Sequence, residues 1–160
     1  MTPTATDLAH QLASPLTQRN LTVATAESCT GGLIGHLITE VAGSSVYYVG
    51  GIIAYSNAVK RSLLHVPQST LDAVGAVSEE TARAMARGVR DQLHAHIGVA
   101  TTGIAGPGGG TATKPVGLVY ICVETPDQTI CQRHVFDGDR QAIKQQTAQV
   151  ALQLIIDSLQ

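Results

Sequence analysis

Residues 21–34, Leu21-Thr22-Val23-Ala24-Thr25-Ala26-Glu27-Ser28-Cys29-Thr30-Gly31-Gly32-Leu33-Ile34, carry the reading on which the fold turns. The apolar run Leu21, Val23 and Ala24 predicts a strand over 21–26. Leu33, Ile34, Leu37, Ile38 and Val41 recur at helical spacing and predict a helix over 30–41. Two nucleophile types, Ser28 and Cys29, therefore fall where a strand hands over to a helix. Backbone N–H groups at a helix start are unpaired and partly positive. A nucleophile beside such donors suits acyl transfer.

Outward from this junction, helices and strands alternate. Before it, Leu8, Leu12 and Leu16 give one face of a helix over 5–18, which Pro15 is expected to kink or shorten. After it, Tyr47 to Tyr55 reads as a strand, with Gly50-Gly51 marking a bulge or a close backbone contact. Short helices are expected over 56–64, ended by Pro67, and from Ser69 to Val74. Ser78 is a good N-cap, with Glu79 and Glu80 in the first turn of a helix reaching about His94.

Residues 97–102 predict a buried strand that empties into the glycine-rich run Gly103 to Gly110. Strands over 117–124 and 129–136 form a hairpin around Pro126-Asp127. A last helix runs from Asp139 to about Leu159, with Ile143, Val150, Leu154 and Ile155 facing the core. The pattern is α/β: a mixed sheet with helices on both faces. Neither a repeat nor a linker interrupts it, so 1–160 is read as a single domain.

The 160 residues are 44% hydrophobic and 14% charged, as in an ordinary globular chain. The net charge is −2 and no Lys/Arg run occurs, so the basic footprint of a nucleic-acid binder is missing. Aromatic residues make up 3%, with no Trp, which disfavours a base-stacking platform. Cys29, Cys122 and Cys131 are an odd set without close pairing, which argues against a secreted disulfide framework. The first residues lack the basic start and apolar core of a signal peptide, and no apolar run reaches membrane-span length. A cytoplasmic protein without a membrane partner is expected.

Ser28 suits a helix N-cap as well as a nucleophile, and as a nucleophile it needs a base. Cys29 at a helix start would have a lowered thiol pKa, or would simply pack in the core. Residue chemistry alone leaves the two equal. Lys60, five residues after Tyr55, is a solvated charge or a buried amine acting as base, with Tyr55 relaying a proton or positioning the nucleophile. The run 103–110 fails both the P-loop and the dinucleotide patterns. It is a flexible turn or a close backbone approach to a ligand, with Thr101 and Thr102 as added donors. Arg140 in a helix first turn conflicts with the helix dipole unless an anion joins it. Metal ligation is poorly supported: His94 and His96 have no acidic or Cys companion nearby.

Taken together, Thr25 to Gly32, Tyr55-Ser56-Asn57, Gly75-Ala76-Val77-Ser78, Gly103-Ile104-Ala105-Gly106-Pro107, Lys114-Pro115-Val116-Gly117 and Gly138-Asp139-Arg140 resemble one family in order. That family is the nicotinamide-nucleotide amidohydrolases, the CinA C-terminal domain family, in its stand-alone form. The resemblance implies a three-layer α/β/α sandwich around a mixed, mostly parallel sheet, assembled as a homo-oligomer. It implies hydrolysis of the carboxamide of nicotinamide mononucleotide (NMN), in pyridine-nucleotide recycling and with no cofactor. It puts the nucleophile on Ser28 and the family's tyrosine and lysine on Tyr55 and Lys60.

Cys29, Thr30 and Gly31 then supply backbone donors to the oxyanion from the start of the 30–41 helix. Thr102, Gly103, Gly106 and Arg140 are expected to hold the phosphate. Three competing readings remain: a non-catalytic pyridine-nucleotide-binding module, a Cys29-dependent amidase, and a competence-related interaction protein.

Overall fold

The computed structural model describes every residue from Met1 to Gln160. Its elements run α1 (Ala5–Gln18), β1 (Val23–Glu27), α2 (Leu33–Thr39), β2 (Tyr48–Ile53), α3 (Asn57–Leu64) and α4 (Gln68–Val74). There follow α5 (Glu79–Gln92), β3 (Ile97–Gly103), β4 (Leu118–Glu124), β5 (Thr129–Val135) and α6 (Arg140–Ser158). One 3-10 turn, Ser44–Val46, precedes β2.

The five strands lie in the order β2-β1-β3-β4-β5. β1 is parallel to β2 and to β3, whereas β3–β4 and β4–β5 are antiparallel. Four strands therefore share a direction and only β4 opposes them. α1, α2 and α6 pack together on one face, while α3 and α4 pack on α5 over the other. Each face has its own buried cluster, so the molecule is a three-layer α/β/α sandwich.

Both neighbours of β1 are strands, and all five of its residues are buried. Doubly covered parallel strands read as continuous apolar runs, and Val23, Ala24 and Ala26 conform. Thr25 and Glu27 break the run but are satisfied: the Thr25 hydroxyl pairs with Tyr48 Oη at 2.7 Å, and Glu27 accepts backbone N–H groups of α2. The chain leaves β1 through α2 to β2 on one side. It then returns through α3, α4 and α5 to β3 on the other. Strand order thus reverses at β1. The crevice at such a switch point is where open α/β sheets bind ligands.

Several boundaries differ from expectation. α1 continues for three residues past Pro15, because a proline in the final turn removes a single hydrogen bond while its own carbonyl still accepts the Arg19 N–H. The 30–41 helix is shorter, Leu33–Thr39, and residues 28–32 form turns instead. Both readings of Gly50-Gly51 hold. The register slips between Val23 and Ala24, and a side chain on Gly51 would collide with the Thr25 hydroxyl. Cys122 and Cys131 face each other across β4–β5 and form a disulfide, leaving Cys29 free and buried. Their pairing depends on hairpin register, which spacing alone does not disclose. No helix is long and apolar enough to cross a membrane.

Candidate active site

Ser28 follows the last residue of β1, and its amide donates to the Thr101 carbonyl of β3 at 3.1 Å. Its hydroxyl opens on a cavity of about 190 Å³ beside the carboxyl ends of β1 and β3. α3 delivers the partner. Ser56 caps that helix by accepting the Val59 N–H, and Lys60 sits in its second turn, 1% exposed. Lys60 Nζ lies 3.1 Å from Ser28 Oγ, 2.9 Å from the Ala54 carbonyl and 3.1 Å from the Tyr55 carbonyl. No carboxylate pairs with it. Burial without a counter-ion disfavours its charged form and lowers its pKa below the usual lysine value of 10.5.

For the neutral form, the partners assign the protons. A neutral amine has two hydrogens and one lone pair. Carbonyl oxygens only accept, so Ala54 and Tyr55 take both hydrogens and the lone pair faces Ser28 Oγ. That arrangement can remove the serine proton.

Cys29 also lines the cavity but is buried in the aliphatic core. Burial pushes its thiol pKa up to about 11. The thiol is therefore protonated at neutral pH and is a poor nucleophile.

Of the backbone donors expected at Cys29, Thr30 and Gly31, the first two are free, while Gly31 and the first turn of α2 are engaged. The Ile34 and Gly35 amides are taken by the Glu27 carboxylate, that of Gly31 by the Ser28 carbonyl, and that of Leu33 by the Thr30 carbonyl. Besides that of Gly32, the N–H groups of Cys29 and Thr30 have no acceptor. They directly follow the serine, as acyl-transfer donors do in other folds.

Of the substrate-binding candidates, Cys29, Thr102, Gly103 and Arg140 line this cavity; Thr30, Gly31 and Gly106 do not. The Thr30 side chain is buried and bonded to Glu27 and Thr101. The Thr102 hydroxyl gives its hydrogen to the Ala76 carbonyl at 2.8 Å, so toward the cavity it offers lone pairs rather than a donor. Gly103 has a reason within the protein: a side chain there would strike the Leu118 carbonyl and Val119 of β4. The glycine run is thus shaped in part by packing against β4, beyond any ligand.

Arg140 opens α6, with Asp139 as N-cap. Its guanidinium donates to the Gly106 carbonyl at 2.7 Å and to Tyr55 Oη at 3.1 Å. Three of its five N–H donors remain for an anion. Tyr55, 62% exposed, meets Lys60 through its carbonyl and Arg140 through its phenol; the phenol does not reach the amine. Asn57, Ala76, Val77 and Ala105 complete the lining. Sequence reasoning gave them no site role, although all four lie in segments that carried the family resemblance. It also missed Glu27, whose position ahead of an uncapped helix was the available signal.

Comparison with known proteins places the chain among its relatives. A family model described as the CinA C-terminal domain matches residues 5–159. A CinA-like protein of Syntrophus aciditrophicus is 51% identical over 145 residues, covering 90% of this chain and 34% of that protein. One of Leptospira borgpetersenii is 44% identical over 159 residues, covering 99% and 38%. The chain thus spans about a third of the length of the curated relatives it matches. Among solved structures, the competence/damage inducible protein CihA from Agrobacterium tumefaciens superposes with a TM-score of 0.96 at 41% identity. That superposition covers 100% of this chain and 99% of the other. A CinA superfamily protein from Enterobacter cloacae also gives 0.96, at 32% identity and 100% and 95% coverage.

Proposed function

The chain belongs to the CinA C-terminal domain family, and from that premise we propose that it is an amidohydrolase that converts NMN to nicotinic acid mononucleotide and ammonia. The observation that carries this reading is the buried Lys60 amine, 3.1 Å from Ser28 Oγ and without a counter-ion. In the proposed reaction Lys60 Nζ takes the Ser28 proton as Oγ attacks the carboxamide carbon. The N–H groups of Cys29 and Thr30 receive the oxyanion; one such donor is worth roughly 3 kcal/mol. The lysine proton passes to the departing amide nitrogen, which leaves as ammonia. Water, activated by the same amine, then hydrolyses the acyl-serine.

In this reading the pyridine carboxamide enters the cavity of about 190 Å³ beside Ser28, and the ribose phosphate turns toward the free donors of Arg140 in its lining. The Thr102 lone pairs accept from the carboxamide N–H₂ in the same reading. Cytoplasmic pyridine-nucleotide recycling by a homo-oligomer is part of the same reading.

The test is ammonia release from NMN by the purified protein, with free nicotinamide and the intact dinucleotide as controls. Turnover on the mononucleotide, with neither control hydrolysed, is expected. Calorimetric binding without ammonia would replace the enzyme by a nucleotide-binding module. Ammonia release that survives Ser28→Ala would remove the mechanism.

A further inference from the structure

Glu27 is 2% exposed, has no cationic partner, and directly precedes the serine. Its Oε1 accepts from Thr30 Oγ1 at 2.7 Å and from the Ile34 N–H at 2.9 Å. Its Oε2 accepts from the Gly35 N–H at 3.0 Å. α2 thereby gets its cap from the end of β1, because Gly32 at the N-cap position has no side chain to give. One carboxylate ties together strand, turn and helix.

Hydrogen direction follows from these partners. Thr30 has a single hydroxyl hydrogen, and it goes to Glu27. In the 2.8 Å contact between Thr30 Oγ1 and Thr101 Oγ1, Thr101 is therefore the donor. The Thr101 carbonyl also accepts the Ser28 N–H. The turn is pinned to β3 at residues 28 and 30, and the acceptor-free N–H of Cys29 lies between the two pins.

Resting on the amidohydrolase reading above, we propose that Glu27 is a positioning residue for the oxyanion donors. It orients the Thr30–Thr101 hydroxyl chain, and that chain fixes the peptide planes of Cys29 and Thr30 against the nucleophile. A carboxylate is required because both of its oxygens accept. A glutamine would turn one of them into a donor facing other donors. Bending donors off the oxyanion position weakens transition-state binding and leaves ground-state binding intact.

The experiment uses the full chain carrying Glu27→Gln, Thr30→Val or Thr30→Ser. Steady-state kinetics on NMN are measured beside the rate at which an alkyl fluorophosphonate labels Ser28, followed by mass spectrometry. Labelling draws on the same oxyanion donors and needs no particular substrate. Glu27→Gln and Thr30→Val are expected to lower kcat and the labelling rate about 10- to 100-fold, with KM within about twofold. Thr30→Ser, which keeps the hydroxyl, should restore both.

The proposal is overturned if Thr30→Val turns over and labels within about twofold of the parent, or if Thr30→Ser restores neither rate. It also falls if KM rises as much as kcat falls. The near-isosteric Thr30 pair decides the matter should Glu27→Gln fail to fold. A parent protein that labels rapidly yet releases no ammonia defeats the substrate reading alone. Equal labelling of parent and Thr30→Val defeats the positioning role alone.

Discussion

The two faces of the sheet are built from different residues. Under α1, α2 and α6, eighteen of the twenty-five buried residues are Leu, Ile or Val. Under α3, α4 and α5, seven of thirteen are alanine: Ala24, Ala26, Ala54, Ala82, Ala86, Ala95 and Ala100. The small residues let helices approach closely. A side chain on Gly98 would strike the Ala86 carbonyl, and one on Gly88 the Leu64 carbonyl. The thick face carries most of the apolar burial and anchors the nucleophile turn through Cys29 and α2. The thin face brings in the amine. Successive residues after β1 divide between them: the Cys29 thiol lies in the thick core, where it is inert, and the Ser28 hydroxyl meets the base from the thin side.

The largest effect that would break this division is loss of the amine. Lys60→Met and Lys60→Arg are each expected to lower ammonia release about 10⁴-fold, because neither can accept the serine proton at working pH. In the parent, the neutral amine is the active form, so kcat should rise with pH through a midpoint below 10.5 and then level off. Lys60→Arg should lose that limb. Retention of turnover within tenfold, or an unchanged limb, would end the Ser–Lys assignment.

Packing variants sharpen the contrast. Leu12→Ala on the thick face is expected to cost about 2–5 kcal/mol in urea unfolding while leaving kcat per folded molecule unchanged. Gly88→Ala should cost less, about 1–3 kcal/mol, yet lower kcat about tenfold. Its methyl pushes α5 off the Leu64 backbone and shifts the helix that carries Lys60. If the two variants affected kcat alike, the faces would not divide stability from chemistry.

The smallest effect is expected for Cys29→Ala: kcat within about twofold, and a stability loss of about 1 kcal/mol from the vacated volume. With a thiol pKa of about 11, the parent should resist iodoacetamide at neutral pH. A Cys29→Ala variant that was inactive, beside an active Ser28→Ala, would move the nucleophile one residue along.

The alternation of helices and strands was legible because period and capping are local. Ser78 and Asp139 announced their helices, and the Leu8-Leu12-Leu16 stripe is the buried face of α1. The three residues from Thr30 to Gly32 were misread as helix because the turn there serves contacts made across the sheet. Thr30 answers to Thr101, 71 positions away. The junction of strand and helix was visible as a place for chemistry, while the hydrogen direction was not. Tyr55 shows the same limit. Spacing put it near Lys60, but the carbonyl makes that contact and the phenol turns to Arg140, 85 positions on. Glycines at 103 and 106 suggested a ligand cradle, and packing against β4 and Val116 is a further reason for the lack of a side chain at both.

Arg140 is the first residue of the last helix, and α6 packs against α1 and supplies much of the thick core. The helix that closes the site therefore begins 112 residues after the nucleophile and 80 after the amine. α6 gives the core Ile143, Leu152 and Ile155 and gives the pocket the guanidinium of Arg140. Completion of the pocket is thus coupled to completion of the thick core, because one helix serves both.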